Sequence, residues 1–155
     1  MRIALICCVI TLAVLGTPLA AQSQPPQESS YQALSDKFFE FLQQDKTADA
    51  VESLYSTNPR LKRMTQQAEQ LTAELNRVRT QAGPYVSHAM LVETTVGGMY
   101  VYQHYFVAYE REPVSVRISY YNRGGVWVCQ RLQVDTHVEE LIDKTADSYM
   151  RLDVK

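Results

Sequence analysis

The chain changes character at Gly83-Pro84. Upstream, apolar residues recur three and four positions apart; downstream, β-branched and aromatic residues dominate and glycine turns punctuate them. A period near 3.6 belongs to helices and a period of 2 to strands, so the two element types are segregated along the chain. Segregated helices and closely spaced strands pack as helices against an antiparallel sheet. The expected fold class is therefore α+β, with three N-terminal helices packed on a curved four-stranded antiparallel meander, followed by a C-terminal helix.

The helical half begins at Ser29 or Ser30, where Ser29 and Gln32 have capping-box spacing. Leu34, Phe38, Phe41 and Leu42 give the first helix one apolar face, ending near Gln44. Ala48, Val51, Leu54 and Tyr55 form the second, closed by Asn58-Pro59, which also opens the third. Leu61, Met64, Ala68, Leu71, Leu75 and Val78 make a single stripe, predicting one long helix from Pro59 to about Gln81.

Strands are expected at Tyr85–Val96, Met99–Glu110, Pro113–Asn122 and Val126–Asp135, joined at Gly97-Gly98, Arg111-Glu112 and Arg123 to Gly125. Such short turns make an antiparallel meander. Thr136 and Glu139 repeat the capping-box spacing ahead of a terminal helix whose apolar face is Val138, Leu141, Ile142, Ala146, Tyr149 and Met150.

Residues 1–21 read as a secretory signal, with Arg2 before an apolar run ending in Gly16, Pro18, Ala20 and Ala21. Cys7 and Cys8 sit too early in that run for a lipid anchor. Residues 22–29 are a polar, Pro-containing leader, and residues 30–155 a single α+β domain. Cleavage leaves Cys129 as the sole thiol, a buried small hydrophobe or a site for pairing with another chain. It also takes the net charge from −2 to −3, which argues against nucleic acid as a partner. The short cluster Arg60, Lys62 and Arg63 reads as a solvated helix face. No later apolar stretch is long enough to span a membrane, so the product is expected outside the cell or in the periplasm.

Alternation splits the second strand into a face with Val101, Gln103, Tyr105 and Val107 and a face with Tyr100, Tyr102, His104 and Phe106. The third strand splits into Val114, Val116, Ile118 and Tyr120, clearly core, against Ser115, Arg117, Ser119 and Tyr121. Helices on one face leave an aromatic second face to be covered by sheet curvature, the terminal helix, a second subunit or a small apolar ligand. The candidate ligand contacts on it are Tyr102, His104, Arg117 and Tyr121. Arg117 in mid-strand is expected to pair with Glu93 or Glu110, or to await an anion.

Catalytic motifs are absent from the sequence: there is no G-x-S-x-G, no phosphate loop, no H-E-x-x-H, and His88, His104 and His137 fall on different elements. No catalytic residue, metal or cofactor is assigned.

The element order, with Tyr109-Glu110-Arg111 and Pro113, then Tyr120-Tyr121, a Gly turn and Trp127, resembles the nuclear transport factor 2-like (cystatin-like) superfamily, notably its small exported bacterial domains, over residues 30–142. The resemblance implies helices across a bent sheet that forms a cone with an internal cavity. It also implies functions ranging from isomerases and dehydratases to binding proteins and non-enzymatic dimers. This chain departs from the commoner pattern by placing every strand after the third helix and adding a terminal one. A cystatin-type inhibitor would need a Q-x-V-x-G loop, which is absent from the sequence. The preferred expectation is a non-enzymatic exported binding or protein-interaction module, acting as a homodimer or on a protein partner. The alternative is a small-molecule isomerase or dehydratase using His104.

Overall fold

Ser30 starts the first helix by accepting a hydrogen bond from the Ala33 N–H at 3.1 Å, satisfying one of the amides a helix start leaves unpaired. The computed structural model describes residues 30–138. In order they form α1 (Tyr31–Gln43), α2 (Thr47–Tyr55), α3 (Pro59–Lys62), α4 (Thr65–Ala82), β1 (Tyr85–Val96), β2 (Tyr100–Tyr109), β3 (Pro113–Arg123) and β4 (Val126–Asp135). The class is α+β, with one antiparallel sheet in the order β1-β2-β3-β4. The expected signal, leader and terminal helix from residue 139 onward lie outside the described residues. No helix among the described residues is long and apolar enough to cross a membrane.

The strands fall within a residue of their expected bounds, but the helical half needs a correction. Four helices precede the sheet rather than three, because the long helix predicted from Pro59 breaks at Arg63-Met64, where Met64 adopts ψ 57°. The short α3 is held from outside. Asn58 caps it by accepting from Arg60 N–H at 3.0 Å, and the same side chain donates to the Cys129 carbonyl of β4 at 2.7 Å. That tie sets the direction of α3. The tie from α4 to α2, Thr47 to Asn76 at 2.6 Å, sets a different one. Met64, an exposed residue, is where the chain turns.

The core lies between the helices and one sheet face. Phe38, Phe39, Leu42, Val51, Leu54, Leu75 and Val78 pack against Val101, Val107, Val114, Val116, Ile118 and Tyr120. Each such side chain contributes roughly 1.5–3 kcal/mol when taken from water. Phe38, as expected, and Phe39 are the fully buried rings of α1, while Phe41 is only partly buried against the core; Phe39 stacks on His88 at 3.9 Å.

Gly83 at φ +91° ends α4, and a Cβ there would sit 3.0 Å from the Glu110 side chain, so glycine is required sterically as well as conformationally. Arg111 then closes the helix end. Its backbone N–H donates to Ala82 O at 2.7 Å, while its guanidinium donates to Gln81 O and Thr80 O, each at 2.9 Å. A cation is favoured at that pole of the helix dipole. The Arg111 of the Tyr-Glu-Arg run thus joins α4 to the β2–β3 turn.

Two irregularities shape β1. Its register against β2 slips at Val86 and at Leu91, each an extra residue. Tyr85 and His88, three apart, consequently share the helix-side face, as do Met90 and Glu93.

Candidate functional site: the outer face of the sheet

The sheet face turned away from the helices carries all four residues singled out by alternation. Strand pairing sets them in rows: Val96, Tyr100, Tyr121 and Val128; then Thr94, Tyr102, Ser119 and Arg131; then Val92, His104, Arg117 and Gln133; then Ala89, Phe106, Ser115 and Asp135. Tyr102, His104 and Arg117 are half-buried and Tyr121 is exposed. His104 and Arg117 stand directly opposite each other, and the Tyr102 and His104 rings are 6.4 Å apart.

The centre of this face is polar and internally bonded. His104 Nε2 lies 2.7 Å from Ser115 Oγ. Burial and the neighbouring Arg117 charge lower the His104 proton affinity, so the ring is neutral near pH 7. Arg117 does not meet Glu93 or Glu110 as expected; it donates from Nη2 to Asp135 Oδ2 at 3.2 Å. The reason is topological. Glu93 faces the helices, whereas Asp135 ends β4 on the outer face, one row from Arg117. The Asp135 carboxyl is held below its usual range, first by the His137 N–H and then by Arg117. Arg117 Nε is buried with no partner among the described residues.

One end of the face is apolar and open. Val96 (63 % exposed), Met99 (58 %), Tyr100, Tyr121 and Val126 (58 %) cluster at the tips of the β1–β2 and β3–β4 hairpins. The tips are tied by Asn122 N–H donating to Met99 O at 2.7 Å. The other large hydrophobic side chains exposed among the described residues are Met64 and three on β1.

On the opposite, helix-side face the structure assembles a polar chain that periodicity could not reveal. Ser35 Oγ lies 2.6 Å from Gln103 Oε1 and 2.7 Å from the Tyr120 hydroxyl. Gln103 donates to Glu93 at 2.8 Å, and Tyr31 O–H donates to the other oxygen of that carboxylate at 3.1 Å. Glu93, itself exposed, is therefore the outward end of a network that runs into the core. The only sequence clue is a polar Gln103 within an otherwise apolar face. Burial also decides between the two readings of Cys129: with no exposed surface and a thiol pushed up to about 12, it is a small hydrophobe of the core.

The histidines lie apart: His88 on the helix side of β1, His104 on the outer face, and His137 beyond β4. Among the described residues no cluster of His, Cys, Asp or Glu is arranged to hold a metal ion. Open grooves lie between α2 and α4, at the α3–α4 bend, and where Tyr55 and Leu71 meet Leu132 of β4. No protein-family model, curated protein or solved structure matches the chain.

Proposed function

We propose that this chain is an exported, non-enzymatic interaction module that docks a partner protein through the hairpin-tip end of its outer sheet face. The supporting observation is the concentration of exposed Val96, Met99, Tyr100, Tyr121 and Val126 at that end. Contiguous exposed apolar surface marks binding sites, and aromatic residues and Met are the types enriched in protein interfaces. The polar centre formed by His104, Ser115, Arg117 and Asp135 borders the patch and supplies hydrogen-bonding groups beside it. The reading accords with the binding and dimeric members of the cystatin-like superfamily that the layout resembles. Export to the periplasm or medium follows from the apolar N-terminal run.

The test is a photo-crosslinking residue placed at Val96 in the exporting host, with the same residue at Arg77 on α4 as control. A discrete protein adduct from position 96, lost when Tyr100→Glu and Tyr121→Glu are added, supports the module. Equal adducts from both positions, or none from 96, overturn it.

A second reading, pocket chemistry with His104 as base, is favoured by the neutral state of that ring. Native mass spectrometry separates the two. A small-molecule adduct of reproducible mass that disappears in His104→Ala would favour the enzyme.

A further inference from the structure

The sheet leaves β1 as an edge: β2 pairs with one side, and among the described residues no strand pairs with the other. It is 12 residues long, about 40 Å at 3.4 Å per residue. It has no Lys, Arg or Pro, and its only charged residue, Glu93, is engaged on the helix side by Gln103 and Tyr31. Val86 (61 % exposed), Met90 (52 %) and Leu91 (51 %) stand open along it. Edge strands ordinarily carry charge or Pro, or are covered, because their free N–H and C=O groups template pairing with another chain.

We propose that two copies of this chain pair antiparallel along β1, about a two-fold axis between Met90 and Leu91, joining their sheets into one of eight strands. The strand is complementary to itself in this register. His88 lies opposite Glu93 of the second copy, Ala89 opposite Val92, and Ser87 opposite Thr94; the first pair shares the helix side and the other two the outer face. The bulge at Leu91 makes this so. In a regular strand an axis between two residues sets opposite faces against each other, and the extra residue restores the match. Moving the axis one residue toward the C-terminus keeps the faces but sets His88 against Thr95, and moving it one residue the other way sets Ala89 of the outer face against Met90 of the helix side; either shift loses the pairing with Glu93.

The His88–Glu93 contact occurs twice and its chemistry is prepared within one copy. The Tyr85 hydroxyl is hydrogen-bonded to His88 Nδ1, and Nε2 has no partner among the described residues; with Nδ1 accepting from the tyrosine, Nε2 carries the ring proton and is free to donate. Each oxygen of Glu93 accepts one hydrogen bond and retains a lone pair for another. Met90 of each copy lies opposite Leu91 of the other beside the axis, where interface cores favour apolar contacts.

The experiment is native mass spectrometry and light scattering of the exported protein between 1 and 100 µM, an order-of-magnitude range suited to interfaces of this class. A dimer is expected. Leu91→Lys, at an exposed bulge, should weaken it at least tenfold while leaving the circular dichroism spectrum unchanged. Ser87→Lys provides a second, independent disruption. The register is read with a variant carrying both His88→Cys and Glu93→Cys, which should yield a disulfide-linked dimer under mild oxidation, since these positions are too far apart to bond within one strand. A monomer at the highest concentration, or a dimer indifferent to both lysines, overturns the proposal. Tyr100→Glu should leave the dimer intact, so loss of partner docking and loss of pairing are separate results.

Discussion

The two edges of this sheet have opposite fates. At β4 the backbone N–H of Cys129 donates to Thr57 Oγ1 at 2.9 Å and its carbonyl accepts from Asn58 Nδ2 at 2.7 Å. The α2–α3 connection thus occupies the outward N–H and C=O of Cys129, one pair of the groups through which another strand would dock. At β1 the helices touch only the inner face, through Phe39 on His88 and Tyr31 on Glu93, and leave the edge itself open. Protecting an edge takes polar side chains delivered from a distant segment. The chain supplies them to one edge, and the other is where association is to be expected.

The largest expected effect breaks the comparison by uncovering β4. Asn58→Ala removes both a helix cap and the partner of a buried carbonyl, and should cost about 2–3 kcal/mol in urea unfolding. It should also expose Cys129, which is fully buried in the native fold, to labelling by thiol reagents well below the unfolding midpoint. Unchanged stability and labelling would mean that the side chain of Asn58 does not close the edge.

Next in size is the network under β1 to β3. Tyr120→Phe leaves the buried Ser35 hydroxyl short of a partner and should cost about 1–2 kcal/mol by the same measurement. Glu93→Gln, at the network's exposed end, should cost less.

Smaller effects arise from titration. Burial lowers the proton affinity of His88, partly offset by Asp36, and burial with Arg117 lowers that of His104. The unfolded chain then binds protons more readily than the folded one. The stabilisation from keeping these rings neutral is complete above the unfolded value near 6.5 and is lost as pH falls from there through the folded values. The melting temperature should therefore decline from pH 7 toward 5, and His104→Gln should flatten part of the decline. Asp135, whose folded value is depressed, adds a loss at lower pH still, as the solution is acidified from the unfolded value near 3.9 through the folded one. Asp135→Asn should remove that step. Because this carboxylate is partly exposed and its ion pair is screened by solvent, its effect should be the smallest.

Much of the sheet was legible because glycine pairs mark its hairpins, with Gly97, Gly98, Gly124 and Gly125 all at positive φ. Along β2 and in β3 the period of 2 holds without interruption, so the common face of Tyr102, His104, Arg117 and Tyr121 could be read directly. The pairing of Arg117 could not. Its partner Asp135 depends on the register of β4, which is shifted by the extra residue Gln130. The break at Met64 was hidden for a related reason: the apolar stripe runs through it, while the force that turns the chain is a hydrogen bond from Asn58 to a residue 71 positions away. The role of Ser35 is not legible in the sequence because a serine on an apolar helix face has no periodic signature.

By itself the amino-acid sequence determined the segregation of helices from strands, the meander and the residues that share the outer face, because these depend on neighbours within a few positions. The tertiary structure alone decided which edge is sealed, where the long helix breaks and which ion pairs form. Those outcomes rest on single side chains meeting backbone or charge across dozens of residues, and no local period records such a meeting.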